Sequence, residues 1–192
     1  MGRMFCFAVA LVAPLLAQGG SWSAPIALST GGQGWESAAA MDGAGNSVAL
    51  WDERTTQDQL WSRAKPAGGN WSTAQGVSPA LQTTLVFPAV RITPAGFATA
   101  VWTDSNGVWT ADRPSNGQWN AAQLLVPGGA GPIFVMNARG DAAVVWTLGS
   151  PPGPRTFVMA RLRPAGGAWT APQTIASGRF RGRGPRGHQR NR

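Results

Sequence analysis

Short runs of alternating and β-branched apolar residues are punctuated along this chain by Gly, Pro, Asn and Asp. From Trp71 to Arg113 the pattern predicts four strands: Trp71 to Ser78, Val86 to Ile92, Ala98 to Thr103 and Val108 to Arg113. Thr93-Pro94-Ala95-Gly96 and Asp104-Ser105-Asn106-Gly107 supply turns between the last three. Short β-rich segments closed by such residues are the signature of antiparallel hairpins. The body shows no apolar spacing at helical period, so no helix is expected there.

The strand Ala98 to Thr103 also predicts how the sheets pack. Side chains of a strand point alternately to two faces. One face carries Ala98, Ala100 and Trp102, the other Thr99 and Val101. The matching stretches give Ser47, Ala49, Trp51 against Val48, Leu50, and Ala142, Val144, Trp146 against Ala143, Val145. Neither face is strongly polar, so both are expected to be buried, and a sheet buried on both faces needs a neighbour on each side. The small residues beside each Trp let a neighbouring sheet approach closely, with the indole filling the gap.

Those matching stretches belong to a repeat. Trp22, Trp71, Trp119 and Trp169 follow one another at intervals of 49, 48 and 50 residues, each after a Gly-containing turn. Trp51, Trp102 and Trp146 recur inside the units, each six residues after a Gly (Gly45, Gly96, Gly140). Pro66, Pro114 and Pro164 precede the next opening Trp by five residues. Four marks kept in register over three units identify a tandem array, and four-stranded units of this length read as propeller blades. The seven Trp residues are assigned to the structural core of the repeat.

The units resemble those of uncharacterised secreted bacterial β-propeller-like repeat proteins, whose blades run W-[ST]-x-P, then D-x-x-G-N-x(4)-W, then R-P-x-G-G-x-W. The first unit reads WSAP at Trp22, DGAGNSVALW from Asp42 to Trp51, and KPAGGNW from Lys65 to Trp71. RPSNGQW from Arg113 and RPAGGAW from Arg163 follow, while Gly96-Phe97 and Gly140-Asp141 depart from Gly-Asn. The resemblance implies an exported all-β fold and carries no activity. The expected architecture is a β-propeller-like array of four-stranded antiparallel blades over 18–70, 71–118 and 119–168, with the first strand of an incomplete fourth blade over 169–178. Closed rings typically have at least four blades, so the ring is expected to be incomplete.

Both termini differ from the body. Arg3 followed by the apolar run Met4 to Ala17 has the form of a signal peptide over 1–17 and is short for a membrane span. A buried first strand or helix is the alternative. No membrane span is expected in the mature chain, which is read as secreted, extracellular or periplasmic. Cys6 is the single Cys and lies inside that segment, so the mature chain is expected to hold no disulfide. The formal net charge of +8 is concentrated in Arg3 and in Arg179, Arg181, Arg183, Arg186, Arg190 and Arg192. Setting those seven aside leaves the body close to neutral, without a basic nucleic-acid-binding face. The tail over 179–192 reads as a frameshift or truncation product, as a disordered Arg/Gly segment binding anionic polymers, nucleic acid among them, or as part of a chain that assembles with another through open blade edges.

Candidate chemistry is sparse. The single His, His188, lies in the tail, so the body has no supplier for a Ser-His-Asp triad. One His and one Cys make no Cys/His zinc site, and no Gly-rich loop opens a helix to cradle phosphate. No catalytic residue, metal site or cofactor is assigned. Asp52, Glu53 and Asp104 could serve as paired carboxylates in glycoside chemistry or as loop-solvating residues. A sialidase-like enzyme would want an Asp-box, which TDSNGVW at Thr103 does not match, and a Tyr nucleophile, which a chain without Tyr cannot supply. The ligand-binding candidates are the Trp residues outside the strict repeat and the cations on their faces: Trp35, Trp61 with Arg63 and Lys65, and Trp109 with Arg113. Trp beside a cation offers stacking and charge-assisted hydrogen bonding to a sugar or an acid; the other reading is a Trp packed on the next blade beneath a solvated basic rim. The functions carried forward are a non-catalytic module that binds glycan or protein, or acts as a scaffold at the cell surface, and a fragment of an extracellular glycoside-processing enzyme. Trp102→Ala should lower the unfolding free energy by about 3–5 kcal/mol; a urea-denaturation loss below about 1 kcal/mol would remove Trp102 from the core.

Overall fold

The computed structural model describes residues 23–29, 31–80, 85–115, 117–149 and 156–178. The segment read as a signal peptide, Trp22 and the tail over 179–192 lie outside them. The described residues form an all-β structure of three four-stranded antiparallel sheets with no helix. Sheet 1 comprises β1 (Ser37–Met41), β2 (Ser47–Arg54), β3 (Asp58–Lys65) and β4 (Gln75–Gly76). Sheet 2 comprises β5 (Val86–Ile92), β6 (Ala98–Asp104), β7 (Gly107–Arg113) and β8 (Gln123–Pro127). Sheet 3 comprises β9 (Ala130–Met136), β10 (Ala142–Leu148), β11 (Thr156–Arg163) and β12 (Gln173–Gly178). Each is a meander in which every strand pairs with its neighbours in sequence.

The strands group differently from the blades drawn at the opening Trp residues. The strand after Trp71 is the fourth strand of sheet 1, the strand after Trp119 closes sheet 2, and β12 after Trp169 pairs with β11. The stretch 169–178 therefore completes the third sheet and does not open a fourth, and the boundaries at 70/71, 118/119 and 168/169 fall inside hairpin connections. The cause is the turn preceding each opening Trp. Pro66, Pro114 and Pro164 each accept a hydrogen bond from the Gly three residues on, at 2.9–3.0 Å, and a connection this short returns the chain beside the strand it has just left.

Why these segments become strands is visible in β6. All seven of its residues are buried, because Ala98, Ala100 and Trp102 pack with Val48, Leu50 and Leu60 of sheet 1, while Val101 packs with Phe134, Val144 and Trp146 of sheet 3. The sheets stack face to face in chain order, and the Trp-bearing faces of sheets 2 and 3 each meet the sheet before. Trp102 and Trp146 are each 1% exposed. The Trp146 indole lies so close to the connection between sheets 2 and 3 that a Cβ on Gly129 would sit 2.8 Å from its ring. Gly107 (φ 140°) closes the β6–β7 hairpin where a Cβ would lie 2.0 Å from the Val126 carbonyl oxygen.

Polar groups pin the seams between sheets. The Trp119 indole N–H donates to Ser62 Oγ of sheet 1 at 2.6 Å. The Glu36 carboxylate accepts the backbone N–H of Phe87, a non-glycine residue at φ 56° inside the bulge of β5. Between sheets 2 and 3, Arg163 (5% exposed) donates from Nη1 to both oxygens of Asp112 at 2.9 Å and from Nη2 to Thr99 Oγ1 at 2.8 Å. Thr99 Oγ1 in turn donates to Asp112 at 2.7 Å, and the guanidinium lies 4.8 Å from the Trp169 ring centre. Removing one partner of a buried ion pair strands the other charge. Asp112→Ala should therefore cost about 3–5 kcal/mol, most of it recovered in Asp112→Leu/Arg163→Met; equal losses in the single and double variants, read by urea denaturation, would contradict a paired seam.

Candidate functional site

The face of sheet 1 that carries Trp51 is where the stack begins. The register sets Ser37, Ala39 and Met41 opposite Trp51, Ala49 and Ser47 on one side. On the other side it sets Trp61, Arg63 and Lys65 opposite the same three residues. Trp61, Arg63 and Lys65 thus share one face, as their alternate spacing implies, and the register adds that it is the face of Trp51. Met41 is 69% exposed, Ala49 and Trp51 at the centre of the face are each 8% exposed, and Trp61, Arg63 and Lys65 are half-buried, with the Arg63 Nε buried and without a hydrogen-bond partner among the described residues.

The segment leading into β1 lies over one end of this face. Gln33 forms an isolated bridge with Arg54, and the backbone N–H groups of Trp35 and Glu36 both donate to Asp52 Oδ1, at 2.9 and 2.6 Å. The Gly32 N–H donates to Glu53 Oε1 at 2.9 Å, and the Trp51 indole N–H donates to Glu53 Oε2 at 2.8 Å. Between segment and sheet lies a cleft of about 560 Å³ bordered by Leu28, Gly32, Trp35, Trp51 and Glu53. Trp35 stands at its mouth, 71% exposed, with its backbone fixed and its indole free to offer a flat apolar surface.

Of the ligand-binding candidates read from the sequence, only Trp35 borders this cleft; Trp61 and Arg63 lie elsewhere on the same face, and the others lie in sheet 2. Trp109 and Arg113 hold the same register positions in sheet 2 but lie where sheet 1 covers them. Trp109 packs against the core and donates its indole N–H to Asp104 Oδ1 at 2.8 Å. Burial pulls the Arg113 guanidinium below its ordinary value, and an arginine side chain remains charged at neutral pH. Arg113 and Lys65 border a second cleft of about 460 Å³ along the seam of sheets 1 and 2, beside Asn46, Ser72 and Ser115. Trp71, Trp119 and Trp169 are half-buried at the entrances to the fourth strands.

The carboxylates weighed for catalysis are engaged in anchoring turns. Asp104 accepts the backbone N–H groups of Asn106 and Gly107 as well as the Trp109 indole, while Asp52 and Glu53 fix the entry segment. Sequence reasoning missed this because the donors are backbone groups and indoles, which leave no mark at a fixed spacing. It also missed Met41 and Ala39 as parts of the exposed face, since strand pairing alone brings them there.

The departure Gly140-Asp141 is a traded pair. In sheet 1, Asp42 accepts the N–H groups of Ala44 and Asn46 and the Asn46 side-chain amide, and Asn46 Oδ1 accepts the N–H of Ala67. In sheet 3, Asn137 accepts the N–H groups of Arg139, Gly140 and Asp141 and donates its amide to Asp141, whose other oxygen accepts the N–H of Ala165. Carboxylate and amide have changed places around one set of bonds. The Asn46 amide holds Asp42 below the usual carboxylate range, and the Asn137 amide, followed by the Ala165 N–H, does so for Asp141.

The chain matches no described protein family and no curated protein. Among solved structures it is similar to a protein of unknown function from Dyadobacter fermentans DSM 18053, at 14% identity and a TM-score of 0.49, over 65% of this chain and 36% of that one. The match thus spans little more than a third of that protein's length.

A carboxylate with a depressed folded pKa adds stability above its unfolded pKa, near 4, and loses it as pH falls through the folded value. Stability should therefore drop as pH falls below about 4, and the acid limb should be shallower in Asp42→Asn/Asp141→Asn. At neutral pH Asp42→Asn should lower the melting temperature, and Asp42→Asn/Asn46→Asp, which copies the sheet 3 arrangement, should restore it. A swapped variant that melts no higher than the single one would refute the equivalence of the two turns.

Proposed function

We propose that this chain is a non-catalytic recognition module of propeller-like build, exported through its N-terminal apolar segment, that works by presenting the Trp-bearing face of sheet 1. One observation carries the reading: on the Trp-bearing face of sheet 1, Ala39, Met41 and Trp35 stand exposed beside a cleft of about 560 Å³ bordered by Trp35 and Trp51, whereas Val90 and Phe134, the equivalents of Ala39 in sheets 2 and 3, are covered. Clefts with convergent aromatic and polar groups are the usual form of a binding site. The grouping suits a ligand that presents flat apolar surface, such as a sugar ring of a glycan or a protein surface: Trp35 supplies an exposed ring face at the cleft, and the half-buried Trp61 supplies a second on the same face of the sheet.

Three sheets stacked in chain order, each repeating the same Trp-marked strand, support the propeller-like part of this reading. Arg3 and the apolar run Met4 to Ala17 support export. A glycoside-processing role draws no support from the carboxylates, because Asp52, Glu53 and Asp104 each hold backbone or indole N–H groups. Screened against glycans and extracellular proteins, the full chain should bind through this face, with Trp35→Ala and Trp61→Ala weakening binding at least about tenfold and the melting temperature unchanged. Turnover of aryl glycosides that is abolished by Glu53→Gln or Asp104→Asn would replace recognition with catalysis.

A further inference from the structure

The two ends of the stack are the two halves of the joint that the chain makes twice inside itself. Three equivalent positions follow each opening Trp by six residues: Val77 and Leu125 are each 4% exposed beneath the next sheet, whereas Ile175 is 57% exposed. In the first strands, Ala38 and Ala89 pack against the following sheet, whereas their register equivalent Ile133 is 67% exposed. Val135 and Leu162 stand exposed on the same outer face of sheet 3, flanking Ala143. The opposite end shows the converse. Val90 and Phe134, on the Trp-bearing faces of sheets 2 and 3, are 0% and 3% exposed, but their equivalent Ala39 in sheet 1 is exposed, as is Met41.

We propose that a second copy of this chain docks head to tail on the first, the outer face of sheet 3 in one copy covering the Trp-bearing face of sheet 1 in the other. This rests on the reading of the sheet 1 face as a recognition surface and names its partner. The occupant follows from continuity with the internal joints. Both of them set a bulky outer face (Val48, Leu50, Leu60 in one, Val101, Val108, Leu125 in the other) against a Trp-bearing face whose centre is Ala100 or Val144 beside the indole. In sheet 1 the corresponding centre, Ala49 beside Trp51, is 8% exposed at both residues, and Ser37, Ala39 and Met41 along its edge form the exposed part of the receiving surface. Two sheet 3 faces set against each other would bring Ile133, Val135 and Leu162 onto their own kind, without the small centre and indole found in both joints. A heterologous contact either closes into a ring or runs on as a filament. The described residues of two copies contribute six sheets, a number within the four to eight typical of closed rings, so a closed pair is the product the test looks for.

The test uses the full chain in analytical ultracentrifugation across the micromolar range. Twice the protomer mass is expected. Ile133→Asp and Ala39→Asp, both at exposed positions where the fold tolerates a charge, should each weaken association by at least about a hundredfold, since docking would bury an unpaired carboxylate. Mixing the two variants should restore one joint and give a heterologous pair, because each retains the half that the other has lost. A wild-type chain that stays monomeric overturns the proposal, and ligand binding that still depends on Trp61 would then leave the recognition reading standing. Dimers that persist in Ala39→Asp and vanish in Ile133→Asp also overturn it, by showing two sheet 3 faces in contact. Pairing of the mixed variants with no glycan or foreign protein bound upholds the docking and confines recognition to this chain itself.

Discussion

A β-sheet with apolar side chains on both faces cannot stand alone in water, and every feature of this molecule follows from that constraint. β6 is buried along its whole length because sheet 1 lies on one side of it and sheet 3 on the other. Burial of apolar surface drives the stacking at roughly 25 cal/mol per Å², and the small residues beside each Trp let the sheets come close enough for the indole to fill the space. Among the described residues no further sheet packs on the outer faces of sheets 1 and 3, and apolar residues whose equivalents are buried within the stack, such as Ala39 and Ile175, stand exposed there.

Polar groups refine what packing begins. Apolar stacking is non-directional and would tolerate a sheet slid or rotated over its neighbour. The Trp119–Ser62 bond, the Glu36–Phe87 bond and the Arg163–Asp112–Thr99 cluster fix the position of one sheet on the next. They differ from seam to seam. Arg163 meets Asp112, but the positions equivalent to Asp112 hold Ala64 and Leu162, so the guanidinium clasp belongs to one seam alone.

Much of the fold was legible in the sequence, and the exceptions have physical causes. The strands Val86–Ile92, Ala98–Asp104 and Gly107–Arg113 lie where period-two alternation and the Gly-bearing turns place them. The grouping into sheets was not legible from the Trp spacing, because a periodic pattern has no natural origin and can be cut anywhere. The short turn at Pro66, Pro114 and Pro164 was the deciding signal. The direction of stacking was hidden as well: alternation says that Trp102 and Val101 face apart, but not which of them meets the earlier sheet. At the candidate site, Trp61 and Arg63 could be placed on one face from their spacing, whereas the covering of Trp109 and Arg113 depends on a neighbouring sheet that spacing does not describe. Glu53 and Asp104 read as free carboxylates until the backbone and indole donors around them are seen.

The traded residues at Asp42/Asn46 and Asn137/Asp141 bear on how such repeats drift apart. Between sheets 1 and 3 one carboxylate and one amide are kept and exchanged between two sites four residues apart, whereas sheet 2 holds Thr93 and Phe97 at those sites. Letter-by-letter comparison of sheets 1 and 3 counts two mismatches where most of the turn's hydrogen bonds are shared and the Arg139–Asp141 ion pair is added, so the kinship of these two units is underestimated by any measure that treats columns independently.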